Sequence, residues 1–557
     1  MNRRKMAALL FSFISVVLVI YFSLYSSHNP TIYLPEVLFP SPGFSSRNSN
    51  IVVSSNLLVQ DSGFSPIYYV QGPNFIPTVS ILCPDWEVLV IVAPEKDLGD
   101  DDDFTCVYPN RVTAPASFSG ILPSTNRTTF KCDIPKAARR RTPFYAPVLK
   151  RSSDREFPVP WPSSPPEKLI RYKNVVYESF STEDDVVVFV KGLNNRQGVN
   201  RSPAEFNCVF TDGKHTVLTA VTSSIQEVFR CHHPEFQPAG KVKVSIEILE
   251  GKKLVPSVAY YTPYRRKIAI SQQKHQMCAT TMVYNVAKFL REWVTYHSTI
   301  GVDKFILYDN QSDDDLQSVV TELNEEGFDI ETFLWIWPKT QEAGFSHAAL
   351  LANNSCKWMM YADVDEFIFS PSWENSTQPD HDMIDSLLKS IEEENLGELS
   401  IKCNEFGPSN QQSHPSVGVM QGYNCRRRFD NRHKSIVLLK AIDYSLLNAV
   451  HHFQVNRNYT IKKVGLETAV VNHYKYQAWP EFKAKFRRRV SAYVVDWRRT
   501  VNPLSQDRAP GLGFEAVEPP GWESKFCEVI DERLKLMTET WFGMKTETGL
   551  IRMPWQS

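Results

Sequence analysis

Three patterns of hydrophobic and polar positions follow one another along this chain. Residues Met6 to Tyr25 (MAALLFSFISVVLVIYFSLY) are twenty consecutive positions without a charge. At about 1.5 Å per helical residue they match a hydrocarbon core of about 30 Å, which predicts a transmembrane helix. From about Tyr68 to Tyr264 the apolar runs become short and β-branched. WEVLVIVAP from Trp86 and DDVVVFVKG from Asp184 are followed by turn residues and predict strands. From about Arg266 strands and helices alternate. Val286, Phe289, Leu290, Trp293, Val294 and His297 recur on one helical face, and Gly301 is placed to end that helix. The apolar strands Phe305–Tyr308 and Met359–Ala362 follow, so this part reads as an α/β domain built on βαβ units.

The first pattern carries an orientation. Arg3, Arg4 and Lys5 precede the apolar run, and SSHNP after it has no Lys or Arg. The positive-inside rule leaves residues 1–5 in the cytosol and sends the rest across the membrane. A cleaved signal peptide is the competing reading. The length of the run and the lack of an A-x-A site favour an anchor at 6–25, hence a single-pass type II protein. Residues 26–67, rich in Ser, Pro and Asn, read as a stalk, followed by a β-rich domain at 68–264 and an α/β domain at 265–557.

The β-rich part repeats itself. DFTCVYPN, with Cys106, and EFNCVFTDG, with Cys208, lie about 100 residues apart, the same offset as the two valine-rich runs. Each is followed by an F-x-C, at Cys132 and Cys231, after intervals of 26 and 23 residues. A repeated, cysteine-bearing, β-sandwich-like unit is expected, with disulfides Cys106–Cys132 and Cys208–Cys231. Ten cysteines and N-x-[ST] patterns agree with a secretory compartment. The glycosylation candidates are Asn126, Asn200, Asn375 and Asn458. Asn310 and Asn353 carry the pattern too, but fall in segments assigned to a buried site.

Composition narrows the function. The chain has 557 residues, 42% of them hydrophobic, with 61 Lys+Arg against 62 Asp+Glu and a net charge of −1. It can bury a large core, and the balance disfavours a nucleic-acid binder with a bulk basic surface. The chemistry concentrates in the back half. Asp309 and Asn310 end an apolar strand, where ligands of open α/β sheets collect, and a carboxylate and an amide there suit a ribose or a base edge. An Asx-rich turn is the competing reading. In KWMMYADVDEFIF a short strand opens onto Asp363, Asp365 and Glu366. Were the segment extended, Asp363 and Asp365 would share a face and meet one Mg²⁺ or Mn²⁺ holding a diphosphate. Glu405 follows a strand and precedes a Gly-Pro turn, where a carboxylate can deprotonate an acceptor hydroxyl or simply hold a turn. Asp443 is the reserve for that role. His473 is delivered by a strand as a metal ligand, with Lys475 two residues on to neutralise diphosphate charge; His451 is a further site candidate. The basic stretch Phe482–Val490 is either a solvated face or a contact to an acidic polysaccharide or membrane phosphates.

The stretches LREWVTYHSTIGVDKFILYDNQSDDD, QEAGFSHAALLANNSCKWMMYADVDEF, RHKSIV, AVHHF and VVNHYKYQAWPEFKAKFRRR run in order from about Met277 to Arg489. Together they resemble glycosyltransferase family ninety-two, specifically its plant β-1,4-galactan synthases. The resemblance implies a GT-A (Rossmann-like) catalytic domain, a UDP-sugar donor, Mn²⁺ (or Mg²⁺) and inversion at the anomeric carbon. It further implies UDP-galactose as donor and β-1,4-galactan side chains of pectic rhamnogalacturonan I as acceptor, in the Golgi membrane. The front β domain would then look like a carbohydrate-binding module. Carried over by position, Asp363, Asp365 and His473 are the implied metal ligands, Lys475 the diphosphate contact, and Asp309 and Asn310 the nucleoside end. Other readings stay open: another UDP-sugar such as arabinopyranose, a glycoprotein acceptor, or a non-catalytic lectin-like Golgi protein. A homodimer is left open as well.

Overall fold

Two valine-rich runs, one per repeat, explain how the front half is built. The first module contains β1 (Thr78–Leu82), β2 (Glu87–Val92), β3 (Phe104–Val107), β4 (Thr113–Leu122), β5 (Arg127–Asp133), β6 (Val148–Arg151) and β7 (Ile170–Arg171), in the order β6-β3-β4-β5-β2-β1-β7. The second contains β8 (Val175–Ser181), β9 (Val186–Lys191), β10 (Phe206–Thr211), β11 (Thr216–Ile225), β12 (Val228–Cys231), β13 (Val242–Ile248), β14 (Lys253–Leu254) and β15 (Tyr260–Tyr261). Its order is β14-β13-β10-β11-β12-β9-β8, with β15 also on β13. Shifting labels by seven turns the core of the first order into that of the second, so the sequence repeat is a repeat of topology.

The long strand of each module bends. The first half of β4 pairs with β3 and the second with β5, with a bulge between Phe118 and Gly120. β11 divides in the same way between β10 and β12, with a bulge between Val221 and Ser223. Such bends fold each module over its own core as a sandwich. Disulfides Cys106–Cys132 and Cys208–Cys231, both expected from the repeat, join the strands on either side of the bend.

The structure, a computed structural model, describes residues 76, 78–93, 103–139, 143–152, 166–194, 199–235, 240–265, 273–485, 518–547, 549 and 551–556. The expected anchor (6–25) and stalk (26–67) lie outside these residues, as does the basic stretch beyond Lys485. Among the described residues no helix is long and apolar enough to cross a membrane. The described residues belong to one unit, Ile51–Ser557.

The back half begins with four parallel strands: β16 (His275–Val283), β17 (Lys304–Asp309), β18 (Ile330–Leu334) and β19 (Cys356–Tyr361). They are connected through α1 (Ala287–Thr299), α2 (Leu316–Glu325) and α3 (Gln341–Ala352). After β20 (Glu366–Phe369), α4 (Met383–Ser390), β21 (Leu396–Glu405), α5 (Val419–Gly422), β22 (Cys425–Arg426), β23 (His433–Leu438), β24 (Asn448–Ala449), β25 (His452–Phe453), β26 (Thr460–Lys463) and β27 (Val470–His473), the sheet is complete. Its order is β18-β17-β16-β19-β23-β21-β27-β20, with β26 also on β21 and β23 antiparallel to both its neighbours. This is a mixed, Rossmann-like α/β sheet. β28 (Val529–Ile530) pairs with β22, and α6 (Arg533–Phe542) follows. Two disulfides that the repeat gave no hint of, Cys278–Cys356 and Cys425–Cys527, tie β16 to β19 and β22 to the chain before β28. Cys83 and Cys403 are buried free thiols.

The two halves share a core. Val186, Val188 and Val190 face inward to Phe206, Phe210 and Phe229 of their own module. The alternate residues Val187 and Phe189 face the other way, into a cluster with Tyr308, Trp335, Trp337 and Phe345. β2 divides likewise: Val88, Val90 and Val92 point into the first module, Leu89 and Ile91 into the shared cluster. A strand buried on both faces reads as an unbroken apolar run, which is why neither run alternates. Polar contacts reinforce the seam. Arg230 donates to Asp185 (2.6 Å) and to the Tyr444 carbonyl (2.6 Å), and the Tyr444 hydroxyl donates to Asp185 (2.8 Å). Gly120 in the β4 bulge sits at φ +101°, a conformation that favours glycine, and the tip of the Leu334 side chain of β18 packs against it.

Truncation to residues 273–557 exposes Trp335, Trp337 and Tyr308, so this fragment is expected to aggregate where residues 68–557 stay soluble. Phe189→Ala in the longer protein is expected to cost about 3–5 kcal/mol. Thermal unfolding checks this; an unchanged Tm refutes the shared core.

Candidate active site

The strand order reverses beside β16: β17 and β18 lie on one side and β19 on the other, the switch point at which α/β sheets collect ligands. Asp309 ends β17, and Asp363 follows the end of β19, so both stand at carboxyl ends of parallel strands. Asp309 Oδ1 accepts from the Ser312 amide and hydroxyl, both at 2.8 Å, and Asn310 Nδ2 donates to the Trp335 carbonyl at 2.6 Å. Both side chains are half-buried.

The acidic triplet departs from the expected extended segment. β19 has ended, and Glu366 begins β20 at the far end of the sheet order, so the chain must turn between them. The Glu366 amide donates to the Asp363 carbonyl (3.0 Å), and the Asp363 amide donates to Glu366 Oε2 (2.8 Å). Asp363 and Asp365 therefore do not form one ladder face. Asp363 Oδ2 accepts from Lys434 (3.0 Å). Glu366 Oε1 meets Lys434 (2.8 Å) and His473 Nδ1 (3.2 Å). Asp365 Oδ2 accepts from Lys485 (2.8 Å), while its Oδ1 lies 3.8 Å from His473 Nε2. His473 reaches this place because β27 pairs it directly with Glu366 of β20. Ligand atoms of Asp365, Glu366 and His473 lie within 4.8 Å of one another, so the compact trio replaces Asp363 of the expected set with Glu366.

Lys434, delivered by β23, is the residue that spacing alone did not mark. Burial works against its charge, and Asp363 and Glu366 overcome that, so its pKa lies above the ordinary lysine range. Burial pushes Glu366 up to about 8, against the pull of Lys434. His451 stands beside Lys434, Nε2 to Nζ 2.6 Å, and both burial and that ammonium hold its pKa well below the usual imidazole value. The neutral ring accepts from the ammonium. His451 thus joins the cluster through the lysine.

Glu405 pairs across from His473 in the register of β21 and β27. It is buried, and Lys475, Arg427 (3.2 Å), Asn431 (3.3 Å) and the Tyr476 hydroxyl (3.4 Å) donate to it. Burial raises its pKa, but the cations win and leave it below the ordinary value. The carboxylate is ionised, as a base must be, yet engaged on both oxygens. That suits anchoring Lys475 and the Arg427–Asn431 loop better than meeting an acceptor proton. Asp443 is not brought to this cluster. Its Oδ1 accepts from the Ser445 amide (2.9 Å) and hydroxyl (2.6 Å) in the turn whose Tyr444 meets the second β module. Of the glycosylation candidates, Asn126, Asn375 and Asn458 are exposed, whereas Asn200 is half-buried with its carbonyl taken by the Gln226 amide.

Residues 273–508 match the family model described as Glycosyltransferase family 92. A glycosyltransferase family 92 protein of Arabidopsis thaliana is 41% identical over 402 residues, covering 70% of this chain and 69% of the relative. One from Ricinus communis is 35% identical over 553 residues, covering 95% and 90%. One from Oryza sativa subsp. japonica is 38% identical over 416 residues, covering 70% of each. The cluster described above thus sits in a glycosyltransferase, and the chain belongs to glycosyltransferase family 92. A mannosyltransferase from Pyrobaculum calidifontis in complex with GDP-Man and Mn²⁺ aligns at TM-score 0.25 and 11% identity, over 42% of this chain and 65% of that chain. That likeness is too slight to carry an argument.

Lys434→Met leaves Asp363 and Glu366 facing each other without their buried cation. It is expected to lower stability by about 3–5 kcal/mol and to abolish transfer. Urea unfolding and a transfer assay measure this; wild-type values for both would remove Lys434 from the site.

Proposed function

We propose that this glycosyltransferase adds galactose from UDP-galactose to β-1,4-galactan chains of pectin, with inversion and with a divalent metal ion. The observation that carries it is the convergence of Asp365, Glu366 and His473, with Asp363 beside them, at the carboxyl end of the sheet. The choice of sugar and acceptor rests on the sequence stretches that resemble galactan synthases. Two carboxylates and an imidazole within 4.8 Å of one another fit Mn²⁺ or Mg²⁺, so Asp365, Glu366 and His473 are the residues to hold it. When bound, the ion supplies Lewis-acid stabilisation of charge on the departing diphosphate.

The chain's own residues do the rest. Asp309 and Asn310 hold the nucleoside end, since both stand where a ribose or base edge reaches the strand termini. Lys485, paired with Asp365, and Lys475, paired with Glu405, bring positive charge to the cluster, where the leaving diphosphate gathers negative charge. Lys434 bridges Asp363 and Glu366 and fixes where both carboxyl groups point. In a single displacement the acceptor hydroxyl attacks the anomeric carbon from the face opposite the diphosphate, the bond to the diphosphate breaks, and the hydroxyl proton passes to a basic group at the site; an α-linked donor becomes a β-linked product without a covalent nucleophile. We place the protein in the Golgi membrane in type II orientation, on the uncharged run Met6–Tyr25 and the preceding cations.

Purified protein supplied with UDP-galactose and β-1,4-galactotetraose is expected to lengthen the oligosaccharide; failure to do so, with UDP-arabinopyranose used instead, overturns the galactose assignment. Asp365→Ala is expected to reduce turnover by about 10²–10³-fold and to abolish its response to added Mn²⁺. Full activity of this variant after chelation overturns the metal assignment.

A further inference from the structure

The loop between β22 and β23 presents one aromatic ring to solvent and pins everything around it. Phe429 is 74% exposed. On one side of it the Arg427 amide donates to the Glu405 carbonyl (2.9 Å) and the Arg428 amide to Glu528 Oε2 (2.9 Å). On the other, Asp430 pairs with Lys402 (3.2 Å) and the Asn431 amide donates to the Cys403 carbonyl (3.0 Å). Further back, Arg426 pairs with Asp531 (2.7 Å), and the Cys425–Cys527 disulfide fixes the base. A single exposed phenylalanine on a loose loop means little. Here the backbone on both sides is held, so the ring is presented without the entropy of ordering a loop.

The loop is also wired to the site. Arg427 and Asn431, two residues either side of Phe429, both donate side-chain hydrogen bonds to Glu405. The same carboxylate holds Lys475 and lies opposite His473. A second aromatic approaches from the facing segment. Phe526 stacks on Tyr476 with ring centroids 3.8 Å apart, and the Tyr476 hydroxyl donates to Glu405. Phe526 holds φ +63°, a left-handed conformation that costs energy for a bulky residue and persists where the surroundings enforce it.

We infer that Phe429 is the platform on which a pyranose ring of the acceptor polysaccharide stacks, the Arg427–Asn431 loop being its mount beside the transfer site. The apolar face of a galactose ring is the matching chemistry. The choice of galactan as acceptor rests on the function proposed above; the stacking itself does not.

The test compares wild type, Phe429→Ala and Phe429→Tyr for Tm, KM of UDP-galactose and KM of β-1,4-galactotetraose. Expected is a roughly tenfold rise in acceptor KM for Phe429→Ala, no change in donor KM or Tm, and recovery in Phe429→Tyr. An acceptor KM unchanged in Phe429→Ala overturns the platform. If the wild type does not lengthen galactotetraose, the galactan reading has failed by itself. The same comparison on the acceptor identified from an oligosaccharide panel then decides the platform by the same two outcomes.

Discussion

One buried lysine sets the terms on which the site exists. Asp363, Asp365 and Glu366 fill three of four consecutive positions, and Glu366 has no exposed surface. Crowding three carboxyl groups around a buried one is costly without a cation and hydrogen bonds in place. Lys434 supplies the charge to two of the three carboxylates, and neutral His451 takes one of its protons in a hydrogen bond. Lys485 supplies the third. The turn from Asp363 to Glu366 is then closed by its own backbone and by the Glu366 side chain. The geometry around His473 follows from this arrangement, because β27 aligns that imidazole with a glutamate already held by Lys434.

The second constraint is the double burial of the front strands. β2 and β9 each supply one set of side chains to their own module and the alternate set to the α/β half. The β modules are therefore part of the catalytic domain's core. The seam reaches the carboxyl end of β17: Gln311, next to Asn310, donates to Ser119 at the β4 bulge (2.8 Å). A front domain read only as a carbohydrate-binding appendage misses this structural share, although its outer faces remain open to such a role.

Much of this was legible in the chain. The repeat gave the two disulfides and the matching strand orders, since short-range cysteine spacing and strand periodicity survive folding unchanged. The face of α1 was legible too, with Phe289, Leu290, Trp293, Val294 and His297 all buried. Asp365 and His473 were found from apolar strands ending in polar residues. What was missed has a common cause. Lys434 stands in a strand between a histidine and a serine, and no local rule distinguishes a buried lysine from an exposed one. Cys278–Cys356 and Cys425–Cys527 join residues 78 and 102 positions apart, where sequence offers no pairing signal. Glu405 was legible as a strand-end carboxylate, but its four donors come from two other segments.

The sequence by itself determined the element types, the repeat, the acidic triplet and the membership in glycosyltransferase family 92, because periodicity and ordered motifs are properties of neighbouring residues. Only the tertiary structure decided which carboxylates converge with His473, which lysine keeps them buried, and that the front strands have two hidden faces. Those outcomes depend on strand order and register, which bring residues from β20, β21, β23 and β27 side by side although they are scattered across more than a hundred positions of chain. Desolvation then fixes the charge of each group by its neighbours in space, and chain order carries no record of them.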